Sequence, residues 1–139
     1  MSDPTVGELP EPVAVDGWMR PSGYADAMTG RGRFIVTAGQ IGWDPSTQQF
    51  ASDDLVAQVR QTLRNVVTAV RAAGGKPTHV VRLTWYITDR DAYVTRRKEI
   101  GAAYREIMGK HYPAMAVVIV AGLVEARARV EIEATAIVP

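Results

Sequence analysis

AMAVVIV at residues 114–120 and RVEIEATA at residues 129–136 are the two segments that decide the fold of this chain. The first segment is apolar throughout, which is typical of a strand covered on both faces. The second segment alternates, so that its apolar side chains point one way while Glu131 and Glu133 point the other. The pair therefore predicts two strands of a sheet that lines a cavity or an interface.

The rest of the chain predicts a strand at 33–38, which is rich in β-branched and aromatic residues, and one at 79–88, where side chains alternate. Residues 17–20 are interpreted as a short first strand. Ser52, Asp53 and Asp54 offer a cap for a helix that begins at 55 and stops at Gly74-Gly75. A single apolar face supports this helix, formed by Leu55, Val59, Leu63, Val66 and Val70. A second helix is expected from Asp91 to Gly109. The order β, β, α, β, α, β, β predicts a two-layer α+β sandwich with both helices on one face of the sheet.

The other face of the predicted sheet needs a cover of its own. We expect Trp85 and the strand residues Met115, Val117 and Ile119 on this face, where they are too apolar to meet water. A sheet with one uncovered apolar face normally buries it against another subunit. The pattern therefore predicts an obligate oligomer.

Composition excludes several classes of function. The chain has 139 residues, a net charge of +1 and no cysteine, so it has no basic footprint for nucleic acid and no thiol chemistry. No secretory leader and no apolar run of bilayer length is seen, and we expect a cytoplasmic protein without membrane contact. His79 and His111 lie far apart in sequence, so no metal site is expected. Residues 1–16 are expected to form an extended arm, and residues 17–139 a single domain.

Eight short segments of the chain form one ordered set: SGY (22–24), VTAGQI (36–41), QTLRNV (61–66), AAGG (72–75), VVRLT (80–84), TD (88–89), YPA (112–114) and VEIEA (130–134). In their order and spacing, the chain resembles the reactive-intermediate deaminase (RidA/YjgF) family from Ser22 to its end. The resemblance implies a chorismate-mutase-like fold with a mixed sheet. It also implies a homotrimer whose sheets form an inner barrel, with three clefts between subunits.

The resemblance further implies which residues line the cleft. The family's carboxylate-binding arginine falls at Met115, a residue that can neither carry charge nor donate a hydrogen bond. Three more positions differ from the family pattern. Ala38 stands where the family has a serine, Val117 where it has a cysteine and Gly101 where it has an asparagine in the second helix. Tyr24 and Glu131 match the family, and the backbone amides of Gly39 and Val117 are expected to hold the substrate.

Glu131 is the best candidate for chemistry. A carboxylate in an apolar cleft holds a proton more readily, which suits a group that positions and deprotonates water. The alternative is an ion pair of Glu131 with Arg129 or with an arginine across the interface. Glu133 is interpreted as structural, and Tyr24 either donates to the substrate or only packs. Candidates to replace the missing arginine are Arg20, Arg127 and Arg129, whereas the run 96–98 is interpreted as a solvated face.

Two functions stay open. One is a hydrolase or deaminase that acts on an imine, an enamine or a related compound in an intersubunit cleft, with a specificity other than that for 2-aminoacrylate. Its catalytic residues would be Glu131 and Tyr24, while Gly39, Met115 and Val117 would bind substrate without a cofactor. The other is a trimer of the same fold that binds a small metabolite and does not catalyse.

Overall fold

The alternating segment near the end of the chain forms the middle of the sheet in a computed structural model of the protein, which describes residues 7–139. The strands of this sheet are β3 (Arg33–Val36), β4 (Gln40–Ile41), β5 (Val80–Ile87), β6 (Ala114–Ile119) and β7 (Val130–Val138). Their order is β3-β7-β5-β6, and β4 pairs with β7 on the same side as β3 but at the other end of β7. All pairs are antiparallel except β5 with β6, so the sheet is mixed as predicted.

The helices pack on one face of this sheet and bury its core. Helix α1 (Leu55–Ala72) begins where the Asp54 side chain accepts a hydrogen bond from the Ala57 amide at 3.0 Å. The chain turns away at Gly74, whose φ of 89° favours glycine. The second predicted helix is broken at Arg96 into α2 (Arg90–Thr95) and α3 (Arg97–Met108). The prediction of a two-layer α+β sandwich is thus confirmed.

The region before β3 differs from the prediction. Residues 17–20 form no strand, because Gly17 has a φ of 82° and the Trp18 amide donates to the Val15 carbonyl at 3.2 Å, which makes a turn. A small antiparallel sheet forms instead from β1 (Glu11–Val13) and β2 (Ala27–Thr29). Part of the expected arm is therefore an ordered strand, while residues 1–6 lie outside the described residues.

The prediction that Trp85 lies on the uncovered face is wrong. Trp85 is 3% exposed and its ring lies 6.3 Å from that of Tyr104 on α3. Paired residues of adjacent strands share a face, and Met115, Val117 and Ile119 pair with buried residues of β5. These three residues therefore also lie on the helix side, and their expected place on the uncovered face is wrong. The sequence shows that Leu83, Trp85 and Ile87 form the apolar set of β5 and that Arg82 and Thr84 belong to the other set, but it does not show whether helices or another subunit cover the apolar set.

The uncovered face has a different composition from the one expected. Its centre is polar and includes Thr84, Tyr86 and the two glutamates of β7. Apolar side chains surround this centre and are strongly exposed, among them Phe34 at 72%, Val36 at 75% and Val118 at 40%. The argument for an oligomer therefore rests on these three residues and no longer on Trp85.

Candidate active site

A cleft of about 810 Å³ opens between the edge strand β6 and the helices α2 and α3. Met115 and Val117 of β6 line one wall. Helix α3 supplies the opposite wall, and the loop before β2 closes one end with Tyr24. Three of the five predicted site residues therefore share this cleft. It is lined by Ser22, Gly23, Tyr24, Trp85, Tyr93, Arg97, Ile100, Gly101, Tyr104, Arg105, Tyr112, Met115 and Val117.

The loop that carries Tyr24 is tied to the start of β6. The Ala25 amide donates to the Pro113 carbonyl at 3.1 Å, and Ala25 forms an isolated parallel bridge with Ala114. Tyr24 is 45% exposed, with no hydrogen bond of its hydroxyl to any of residues 7–139. This attachment holds the phenol beside Met115 and leaves the hydroxyl available to a ligand.

The floor of the cleft is aromatic and fixed. The ring of Tyr104 stacks on that of Tyr112 with centroids 5.5 Å apart, and its hydroxyl donates to the His111 carbonyl at 2.5 Å. Burial strongly raises the pKa of Tyr104, and the nearby Tyr112 adds to this shift, so the phenol stays neutral. Burial likewise raises the pKa of Tyr93. The floor thus offers neutral aromatic surface against which an apolar group can pack.

The two remaining predicted residues meet on the uncovered face. Gly39 lies between β3 and β4, outside the paired residues of both strands. A Cβ atom built on Gly39 would lie 2.6 Å from Oε2 of Glu131, so the carboxylate covers the backbone at this point. Glu131 makes no ion pair with any of residues 7–139, and the predicted alternative of a pair with Arg129 is not seen.

Buried amide side chains of α1 hold the segment that carries Gly39. The Asn65 amide donates to the carbonyls of Ile41 and Trp43, both at 2.9 Å. Gln58 packs so closely that a Cβ on Gly42 would lie 2.7 Å from its Cβ. Because these partners are inside the core, the segment after Gly39 has little freedom to move, and the amide beside Glu131 is fixed with it.

Glu133 has a different role from Glu131. Its Oε1 accepts a hydrogen bond of 2.6 Å from the Tyr86 hydroxyl, and this bond raises the pKa of Tyr86. The pair lies across β5 and β7, where the register places both residues near one another. This contact agrees with the interpretation of Glu133 as a structural residue.

The five predicted residues therefore divide between the two faces of one sheet. Tyr24, Met115 and Val117 line the cleft on the helix side, whereas Gly39 and Glu131 lie on the other side. A single protomer cannot bring the two groups to one small molecule through its own sheet.

The chain is similar to known proteins over most of its length. The family model described as endoribonuclease L-PSP matches residues 19–138. The chain belongs to the RidA/YjgF family. Its similarity to the 2-iminobutanoate/2-iminopropanoate deaminase of Salmonella typhimurium is 37% identity, covering 76% of this chain and 80% of that protein. Like other members of the family, the chain has the chorismate-mutase-like fold.

Two solved structures of the RidA/YjgF family illustrate the match. A Yersinia pestis protein of unknown function, YyfB, has a TM-score of 0.82 at 29% identity, covering 94% of this chain and 99% of that one. Escherichia coli TdcF, solved with bound serine, has a TM-score of 0.66 at 31% identity, covering 87% and 91%. The second structure holds an amino acid.

The arginines predicted to replace the missing family arginine do not line the cleft. Arg127 pairs with Asp53 at 3.0 Å and covers the ring of Phe50, and neither Arg20 nor Arg129 is among the lining residues. Two arginines that sequence reasoning missed do line it: Arg97 and Arg105. Their eight-residue separation on one helix, with Gly101 midway, is the signal that could have found them.

Other kinds of site find no support in residues 7–139. No group of three or more His, Asp or Glu side chains is placed to hold a metal ion in this part of the chain. His111 contacts the Val80 carbonyl through Nε2 at 2.7 Å, and the His79 ring accepts the Lys76 amide, so both histidines have structural partners. Within the same residues, no helix has the length and hydropathy to cross a bilayer.

Proposed function

We propose that the protein is a hydrolase of the RidA type that converts 2-imino or 2-enamino acids into keto acids and ammonia. The observation that carries this proposal is the Glu131 carboxylate, held against Gly39 and free of any ion pair within residues 7–139 in a family whose relatives include 2-imino acid deaminases. A carboxylate of this kind can accept the proton of water.

The proposal includes a homotrimer, because the two halves of the site lie on opposite faces of the sheet. Association through the exposed apolar residues Phe34, Val36 and Val118 would bring Glu131 of one subunit towards the Met115 wall of the next. Such a cyclic arrangement is heterologous at each interface and closes after three copies.

The chemistry follows from these groups. Starting from the imine protonated on nitrogen, Glu131 takes a proton from water as the oxygen bonds to the imine carbon, which gives a neutral carbinolamine. Glu131 returns that proton to the nitrogen, the C–N bond breaks to release ammonia, and the hydroxyl proton passes to Glu131 or to water as the keto group forms. Tyr24 donates a hydrogen bond to the substrate, and the amides of Gly39 and Val117 bind its polar groups. Met115 replaces a cation by an apolar surface, so substrates with an apolar side chain are favoured over 2-aminoacrylate.

A first experiment measures hydrolysis directly. An amino-acid oxidase generates imino acids in situ from alanine, leucine, methionine or phenylalanine, and semicarbazide traps the imine that has not been hydrolysed. We expect the protein to reduce trapping more for the larger imino acids than for that of alanine, and Glu131→Gln to lose at least about 100-fold in rate. Absence of acceleration on every imine, together with saturable binding of a keto acid, would support the non-catalytic metabolite-binding trimer instead.

A second experiment tests the shared site. Glu131→Gln and Tyr24→Phe each impair one half of the site, so either homotrimer should be weak. After dissociation and random reassembly of an equal mixture, about one quarter of the clefts combine two unaltered halves and regain activity. No recovery would contradict a site shared between subunits, and a monomer by light scattering would exclude it.

The same chain is not proposed to cleave RNA, although the family model is described by that activity. Within the run 96–98, Arg96 is already paired with Asp54 and Glu99. The net charge of +1 provides no wide basic surface that would follow a phosphate backbone. Incubation with a labelled single-stranded RNA should leave it intact.

A further inference from the structure

The helix wall of the cleft presents residues spaced by four: Tyr93, Arg97, Gly101 and Arg105. Within α3 this spacing keeps Arg97, Gly101 and Arg105 on one side, and α2 brings Tyr93 to the same cleft. Gly101 has no side chain, so it leaves a gap on the helix surface between Arg97 and Arg105. The gap faces Met115 and Val117 across the cleft.

The guanidinium of Arg105 occupies this gap. Its Nη1 would lie 3.3 Å from a Cβ built on Gly101, so the side chain runs back along the helix towards the glycine. A larger side chain at residue 101 would push the guanidinium away. Arg97 points to a different place, with its Cζ 5.9 Å from the centre of the Tyr93 ring.

Arg105, like Arg97, has no acidic partner among residues 7–139, but only Arg97 is engaged by an aromatic ring. On α1, Arg60 pairs with Glu106 at 2.6 Å, and Arg96 at the start of α3 pairs with two carboxylates. A guanidinium at an apolar and aromatic cleft without an anion is a ready binding site for a planar carboxylate, which it can grip with two parallel hydrogen bonds.

We propose that Arg105 binds the carboxylate of the ligand and so replaces, from the helix wall, the arginine that is absent at Met115 on the strand wall. The ligand class is a 2-imino or 2-keto acid with an apolar side chain, which would lie across the cleft against Met115, Val117 and Trp85. This inference rests on the proposed use of the cleft, but it concerns binding and does not require catalysis.

The test measures the binding of a stable product, the keto acid derived from leucine, to the purified full-length protein by calorimetry. The matched probe is the amide of the same keto acid, which keeps the shape and lacks the charge. We expect Arg105→Gln to weaken binding of the acid by about 10- to 100-fold and to leave the weak binding of the amide unchanged. The affinity of Arg105→Lys for the acid should be intermediate, because lysine keeps the positive charge but cannot donate two parallel hydrogen bonds to the carboxylate.

Lys98→Gln is the control, since it removes one positive charge from the same helix at a residue that does not line the cleft. Equal binding of the acid by the wild-type protein and Arg105→Gln would overturn the proposal, as would equal binding of acid and amide or no measurable binding of the acid. Imine hydrolysis that Arg105→Gln leaves unchanged would also overturn it while supporting the proposed reaction. Carboxylate binding through Arg105 without hydrolysis of any imine would contradict the proposed reaction and would support the proposed carboxylate site.

Discussion

Replacing Gly39 by alanine tests whether the Glu131 carboxylate works at the position in which the structure holds it. The new Cβ would lie 2.6 Å from Oε2 and 2.7 Å from Cδ of Glu131. To reach an ordinary separation of about 3.4 Å the oxygen must move by roughly 0.8 Å. The atoms that must move belong to the end of a flexible side chain, so the backbone can stay where it is.

The expected effect is a large loss of activity with a small change in stability. Moving a reacting group by about 1 Å costs up to ~100-fold in rate, so kcat should fall by about 30- to 100-fold and by less than in Glu131→Gln. The free energy of unfolding should change by less than about 1 kcal/mol, because the cost of a displaced rotamer is offset by the smaller entropy of the unfolded chain.

Two other glycines provide matched controls for the same added methyl group. A Cβ on Gly42 would lie 2.7 Å from Cβ and 2.8 Å from Cα of Gln58, where backbone must move, and we expect Gly42→Ala to lose about 1–3 kcal/mol of stability. A Cβ on Gly122 meets no atom within 4 Å, and Gly122→Ala should change neither activity nor stability.

Activity is measured by the semicarbazide competition described above, with the imine derived from leucine. Stability is compared by thermal unfolding at one fixed protein concentration, because the unfolding midpoint of an oligomer depends on concentration. Full activity in Gly39→Ala would refute the claim that the observed carboxylate position is the working one. A lowered unfolding temperature that matches Gly42→Ala would refute the claim that only a flexible side chain has to move.

Three further predictions concern folding and assembly. Gln58→Ala removes the hydrogen bonds that this side chain donates to the carbonyls of Ser52 and Arg127, both at 3.0 Å, and the one that it accepts from the Arg129 amide at 2.8 Å. We expect the free energy of unfolding, measured in urea, to fall by about 2–4 kcal/mol. A fall of less than about 1 kcal/mol would contradict this prediction. Burial, aided by the charges of Lys76 and His111, lowers the pKa of His79 from 6.5, so the folded state prefers the neutral ring whose Nδ1 accepts the Lys76 amide at 2.9 Å. Stability should be fully present above pH 6.5 and fall as the pH drops below it, by at most about 1.4 kcal/mol per pH unit, and His79→Asn should flatten this dependence. Val36→Glu places a charge on the exposed apolar part of the sheet and should convert the proposed trimer to monomer by light scattering. Val124→Glu, at a residue 99% exposed, should leave assembly unchanged, and assembly insensitive to Val36→Glu would rule out an interface at β3.

The sequence was sufficient to predict an element of the fold where its pattern had a single physical explanation. The apolar stripe and cap of α1 and the alternation in β7 each match a single element, and both were predicted within a few residues. Trp85 shows the limit. The alternation separates the apolar set of β5 that contains Trp85 from the set that contains Arg82 and Thr84, but only the packed helices show that they, and not another subunit, cover the apolar set. The strand of residues 11–13 was missed because a three-residue strand with a proline has almost no sequence signal.

The site was predicted in its parts and not in its assembly. Tyr24, Met115 and Val117 were expected in one place and share one cleft. That Gly39 and Glu131 lie on the other face follows from strand register, which the positions of the motifs alone do not give. Arg105 was overlooked because an exposed arginine on a helix is usually a solvated residue, and only the glycine one turn before it distinguishes this one.

The connection from β5 to β6 has a consequence for how this protein can change. One continuous piece of chain, from the end of β5 through α2 and α3 to β6, supplies nearly the whole of the cleft wall, while the exposed apolar patch of β3 and the Glu131 side of β7 lie on the far side of the sheet. Substitutions in this continuous segment can therefore change ligand selectivity without changing the exposed apolar patch of β3 or the Glu131 side of β7. An exchange of residues 89–109 with those of a relative should behave as a cassette that transfers ligand preference and leaves subunit number untouched.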